Sequence, residues 1–196
     1  MKQAKSGEKL RGAAGFEAYY SALYGERWPQ IKQAFASELA YVTYRADGGR
    51  EGKESYFLDG GSVRAAAALP LQGARRILDM CAAPGGKTLV LASCMDSQAS
   101  LLSNERSADR RSRLSRVCDS CLPDEVRKRV TVSGNDGAVM CRRQTACFDR
   151  ILLDAPCSSE RHVLADSKYL AEWSPSRIKS LAMEQWALLS SAWRML

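Results

Sequence analysis

Four short apolar runs recur along this chain from residue 76 onward: Arg76–Met80, Ala99–Asn104, Arg129–Ser133 and Phe148–Leu153. They are spaced by roughly 20–30 residues, and every interval holds a stretch compatible with a helix. Antiparallel neighbours need only a tight turn, whereas parallel ones need a crossover of this length. The rhythm therefore predicts βαβ units, a parallel sheet with right-handed connections, and an α/β fold.

The residues ahead of this rhythm read differently. Phe16, Tyr19, Tyr20, Leu23 and Tyr24 fall at helical spacing, Trp28-Pro29 interrupts, and Ile31–Tyr44 resumes with mixed apolar character. Such an aromatic stripe is read as core packing, with a base-stacking platform as the alternative. Arg45–Glu54 is Gly-rich and charged, hence a loop. The chain is accordingly divided into a small helical N-terminal extension, residues 1–71, and an α/β domain, residues 72–196.

Composition narrows the class. The chain is 45% hydrophobic and 26% charged, as a packed globular protein is. No apolar run approaches the ~20 residues of a membrane span, so no membrane partner is expected. Residues 1–14 are polar and basic without an apolar core, so secretion is not expected. Seven cysteines, an odd number, point to a reducing compartment. Cys118 and Cys121 have CxxC spacing, but no second pair accompanies them and His162 is the only histidine, so free thiols rather than a metal site are expected.

The net charge is +7, and Arg106, Arg110, Arg111, Arg113, Arg116, Arg127, Lys128 and Arg129 crowd one stretch. That density suits a polyanion. A solvated helix face countered by Asp109, Asp119, Asp124 and Glu125 is the alternative. The last segment reads as a helix: Ser174 is placed to cap it, Pro175 to open it, and Ile178, Leu181, Leu188, Ala192 and Leu196 to line one face. An alternating fold would next supply a strand. Without it the fourth strand is a sheet edge, and the isolated chain is expected to be poorly soluble or to oligomerise.

In open parallel sheets, ligands sit outside the carboxyl ends of the strands. The first strand is followed by Cys81-Ala82-Ala83-Pro84-Gly85-Gly86-Lys87-Thr88, whose small residues allow backbone to approach a ligand at a helix N-terminus. A nucleotide-triphosphate loop would need glycine where Cys81 stands. Glu105 closes the second strand, where a carboxylate can accept two ribose hydroxyls. Asp136 closes the third, as an adenine-amine acceptor or an ordinary Asp-Gly turn, and Asp154-Ala155-Pro156-Cys157-Ser158 closes the fourth. Together a glycine loop and three carboxylates favour an adenosine-type cofactor.

Leu78–Thr88 and Asp154–Ser158 resemble the cofactor loop and the DAPCS motif of the Nol1/Nop2/Sun, RsmB-like family of RNA cytosine-5 methyltransferases. Asn104-Glu105 with Arg110 and Arg113, and Tyr56–Leu71, extend the resemblance, and Phe16–Pro29 with Arg161-His162 looks most like the mitochondrial rRNA-type branch and its bacterial relatives. The resemblance implies a Rossmann-like class I methyltransferase domain with its last strands missing. It implies contact of Cys81, Ala82, Ala83, Pro84, Gly85, Gly86 and Lys87 with S-adenosyl-L-methionine. Glu105, next to Arg110, would hold the ribose, Asp136 the adenine, and Asp154 the methionine side or the target base. RNA (rRNA or tRNA) is the implied partner, reached in part through residues 1–71 and with a protein partner for targeting. The implied location is cytoplasmic, with mitochondrial as the alternative.

Cytosine C5 is a weak nucleophile, and the usual remedy is thiolate addition to C6. That thiol must be partly ionised, and an acid near N3 helps, a place Asp154 can fill. In the resembled family, one cysteine attacks from a Thr-Cys motif on the following strand, and the DAPC cysteine, here Cys157, assists product release. The 196 residues hold no counterpart of the first. The chain is thus expected to be a fragment lacking the nucleophile. The alternatives are direct attack by Cys157, or a non-catalytic RNA-binding or assembly protein that retains the fold.

Overall fold

The computed structural model describes residues 10–46 and 53–196. In chain order its elements are α1 (Gly12–Tyr24), α2 (Trp28–Ala36), β1 (Tyr41–Tyr44), β2 (Tyr56–Asp59), α3 (Gly60–Ala67), β3 (Arg76–Asp79), α4 (Gly86–Cys94) and β4 (Ser100–Asn104). There follow α5 (Ala108–Cys121), α6 (Asp124–Arg127), β5 (Val130–Ser133), β6 (Arg150–Leu152), α7 (Glu160–Ala165), α8 (Ser167–Glu172) and α9 (Pro175–Met195). The residues form two compact units, one built from the chain up to Glu38 together with Cys157–Met183, the other from Leu39–Pro156 and Glu184–Leu196.

The first unit is helical and aromatic. Phe16, Tyr20, Trp28, Val163 and Trp173 are buried together, with the Phe16 and Trp173 rings edge-on at 5.3 Å and Tyr20 stacked on Trp28 at 5.1 Å. The stripe read at Phe16–Tyr24 is therefore core, apart from its exposed end at Leu23 and Tyr24. Trp28-Pro29 does not end a helix but starts one: Pro29 stands in the first turn of α2, where a missing N–H costs nothing. Arg161 reaches the carboxyl end of α2 and donates to the Ala34, Phe35 and Ser37 carbonyls, as a cation at a helix C-terminus should.

The second unit holds the sheet. Its strands run in the order β5-β4-β3-β6, all parallel, with α4 and α5 as crossovers. Alternation along β3 divides the core. Ile77 packs with Leu89, Leu91, Leu101, Leu114 and Val130 on one face, and Leu78 with Met80, Phe148, Leu188 and Met195 on the other. β6 is confined to Arg150–Leu152 and pairs with β3 only, so it is a sheet edge among the described residues. On α9 the last core position is Met195, not Leu196, which is exposed. The opposite face of that helix presents Trp186, Leu189 and Trp193 to solvent. β1 and β2 form an antiparallel hairpin inside residues 1–71, which the sequence reads as a helical extension. The CxxC pair, Cys118 and Cys121, is buried in the core as free thiols.

Candidate active site

Every strand of the parallel sheet delivers a polar group at its carboxyl end. Asp79 ends β3 with no exposed surface, and its Oδ2 accepts 2.7 Å from Thr88 Oγ1 on α4. The intervening loop, residues 80–87, is clasped at both ends by this bond. Burial pushes the Asp79 carboxyl up to about 7, against the opposing pull of Thr88 and Lys87. Its other oxygen, Oδ1, has no hydrogen-bond partner among the described residues.

The two glycines of the loop answer to packing. Gly85 has a φ of +121°, and a Cβ there would meet Val117 of α5 at 2.9 Å. A Cβ on Gly86 would meet the Tyr56 ring at 3.1 Å. Their small size thus seats the loop between β2 and α5, and Gly86 also lines the second cavity described below.

At the end of β4, Asn104 is buried and spans the sheet. It donates to the Met80 and Asn135 carbonyls, and accepts from Ser133 Oγ and the Asn135 N–H. Next to it Glu105 is 6% exposed. Its Oε1 accepts from the Ser107 N–H at 2.8 Å, and its Oε2 lies 3.3 Å from Arg110, which also donates to the Ala83 carbonyl. Arg110 therefore ties the carboxylate to the loop. Asp136, after β5, caps a 3-10 turn by accepting from the Ala138 N–H. Asp154, after β6, sits 2.9 Å from Lys87 Nζ.

Two cavities lie along these strand ends, with Cys81 lining both. The first, ≈ 170 Å³, has Glu105 and Asp136 among its walls with Met80, Leu188 and Gly137 between them. Carboxylates together with apolar surface are what a nucleoside needs: acceptors for its hydroxyls and amine, and apolar contact for its base. The second, ≈ 180 Å³, is lined by Lys87 and Asp154 and by the β1–β2 hairpin. The Cys81 thiol is pushed up to about 12, by burial first and then by neighbouring carboxylates, so it is neutral at physiological pH and is no nucleophile.

The fold thus brings together Cys81–Lys87, Glu105, Arg110, Asp136 and Asp154 in the second unit. Cys157 belongs to the first unit, exposed, with Sγ 3.6 Å from Ser159 Oγ. Reading the sequence missed Asp79 and Asn104 as site residues. Their signal, a polar residue ending an otherwise apolar strand, was available.

Of the eight clustered cations, Arg106, Arg110, Arg127 and Lys128 are engaged in ion pairs, and Arg111 and Arg129 hold backbone carbonyls. Arg113 and Arg116 are exposed on α5.

Comparisons with known proteins point to one family. A family model described as 16S rRNA methyltransferase RsmB/F matches residues 66–196. The chain is 38% identical over 117 residues to the Xenopus laevis 5-cytosine rRNA methyltransferase NSUN4, covering 59% of this chain and 29% of that protein. It is 36% identical over 141 residues to the mitochondrial tRNA (cytosine(34)-C(5))-methyltransferase of Mus musculus, covering 71% of this chain and 40% of that protein. The crystal structure of NSun6 from Pyrococcus horikoshii with SFG superposes with a TM-score of 0.60 at 25% identity, over 74% of this chain and 36% of that one. The matches span well under half the length of each.

Proposed function

The chain belongs to the RsmB/F family of 16S rRNA methyltransferases, and from that premise we propose that it binds S-adenosyl-L-methionine and serves methyl transfer to C5 of cytosine in RNA. The observation that carries this reading is the pair of adjoining cavities at the carboxyl end of β3, one flanked by Glu105 and Asp136, the other by Lys87 and Asp154. Glu105, oriented by Arg110 and Ser107, accepts the ribose hydroxyls. Asp136 accepts from the adenine amine, and Cys81–Lys87 line the methionine portion. S-adenosyl-L-methionine supplies an electrophilic methyl on a sulfonium.

The residues of this chain then bind and orient the target. Asp154, paired to Lys87, faces the N3 edge of the base, where a proton draws electron density as a thiolate adds at C6. An unpaired or flipped cytosine is required, which suits loops of rRNA or tRNA. Arg113 and Arg116 are exposed to meet phosphates, and residues 1–71 supply a further RNA contact. A protein partner for targeting, a cytoplasmic location and, as its alternative, a mitochondrial one belong to the same proposal. Cys157 assists product release, and the attacking thiol is a different one from Cys81, which lines both cavities.

A second reading, a non-catalytic RNA-binding or assembly protein, is favoured by one observation: among the described residues, Cys81 is the only cysteine lining either cavity, and it is not ionised. Radiolabelled methyl transfer decides between them. Cytosine-containing RNA accepts label and cytosine-free RNA does not if the first reading holds. Binding of both ligands with transfer to neither RNA supports the second.

A further inference from the structure

The hairpin beside the second cavity carries two aromatic rings that the core does not use. β1 and β2 pair with Tyr41 opposite Asp59 and Thr43 opposite Phe57, which makes Tyr41 and Phe57 diagonal neighbours on one face. Both are 64% exposed and both line the cavity. The alternate residues of β2, Tyr56 and Leu58, instead pack at Gly86 where α4 begins. A half-buried hairpin ordinarily turns polar residues outward. Here the outward face holds two rings in succession, beside a carboxylate and an ammonium.

The polar side of the cavity is set in advance. Asp59 accepts from the Ser62 N–H at 2.9 Å and from Ser62 Oγ at 2.7 Å. Lys87 Nζ donates to Ser62 Oγ at 2.9 Å and lies 2.9 Å from Asp154 Oδ2. The ammonium is thus pinned between α3 and the end of β6, and Ser62 holds the Asp59 carboxyl below the usual range. Exposed ring faces beside a fixed donor–acceptor pair recognise a flat heteroaromatic ring with a polar edge, which is the chemistry of a nucleobase.

We propose that Tyr41 and Phe57 form the stacking wall for the base that enters the Lys87–Asp154 cavity. This rests on the methyltransferase reading and adds to it the residues that hold the ring faces. Stacking of one base on an aromatic side chain changes affinity by about fivefold to a hundredfold.

The test uses the full chain with S-adenosylhomocysteine present and a labelled single-stranded oligoadenylate RNA carrying one cytidine, read by fluorescence anisotropy. Tyr41→Ala, Phe57→Ala and Phe57→Leu are expected to weaken RNA binding about fivefold or more. Phe57→Trp is expected to retain it, with quenching of the added indole. Affinity for S-adenosylhomocysteine and the thermal transition should be unchanged in all four, since both rings are exposed. RNA binding by Phe57→Leu and Tyr41→Ala equal to the parent overturns the wall, as does a parallel loss of cofactor affinity. A parent chain that binds S-adenosylhomocysteine but no RNA overturns the reading beneath it, and the wall with it.

Discussion

Thr88 Oγ1 donates 2.7 Å to Asp79 Oδ2 with neither residue exposed, so one buried bond joins the last residue of β3 to the first turn of α4 across the whole cofactor loop. Thr88→Val keeps the shape and removes the donor. It leaves the Asp79 carboxyl with no partner on either oxygen, a loss of about 1–3 kcal/mol. Thr88→Ser should restore most of it. Urea denaturation of the three proteins measures the difference, and equal midpoints for parent and Thr88→Val would show the bond to be idle.

The same carboxyl sets a pH dependence. Asp79 is raised from 3.8 in the unfolded chain to about 7 in the fold, so the folded state holds its proton more tightly. Its contribution is fully present below pH 3.8 and is lost as pH rises through about 7. Asp59 and Asp149 are lowered and act in the opposite sense, adding stability as pH rises through the acid range. Stability should therefore decline from about pH 5, above the acid-range rise, to about pH 7, by up to ~1.4 kcal/mol per pH unit, and level off beyond it. Asp79→Asn should flatten that limb. Parallel pH profiles of the urea midpoint for the two proteins would exclude Asp79 as its source.

Cysteine reactivity should follow burial and ionisation. Cys94 and Cys157 are exposed, whereas Cys118 is buried and Cys81 half-buried, each pushed up to about 12. Iodoacetamide at pH 8, followed by peptide mass spectrometry, should modify Cys94 and Cys157 first and Cys81 only upon unfolding. Early labelling of Cys81 would contradict a neutral thiol at the junction of the two cavities.

Self-association should map to α9 as well as to the sheet edge. Trp186 and Trp193 are 71% and 77% exposed on one face of that helix, with Leu189 between them. Contiguous apolar surface of this kind drives association. Light scattering should show oligomers whose mass falls when Trp186→Glu and Trp193→Glu are combined. An unchanged mass would leave the β6 edge as the sole cause.

The parallel sheet was legible because burial on both faces forces near-continuous apolar runs, and each of the four lies over an observed strand. The positions of the polar residues at their ends were legible for the same reason: an acid that follows a buried run stands at its carboxyl end. The β1–β2 hairpin was not legible. Its strands are four residues each, and the turn signal between them is diluted over a long charged segment, part of which (residues 47–52) lies outside the described residues. The packing roles of Gly85 and Gly86 were not legible since their neighbours, Val117 and Tyr56, are distant in sequence. The Asp59–Ser62–Lys87–Asp154 chain joins four separate segments, and local spacing carries no trace of such a contact.

Calorimetric titration of S-adenosyl-L-methionine into the chain tests the central claim most directly. Glu105 is nearly buried, held by Ser107 and Arg110, and supplies a carboxylate at the first cavity, where a ribose is proposed to sit. One saturable site is expected, with affinity reduced at least about tenfold by Glu105→Ala, as loss of charge-assisted hydrogen bonds implies, at an unchanged fold. A folded chain that takes up no S-adenosyl-L-methionine, or that binds it equally well as Glu105→Ala, would contradict the assignment of this site.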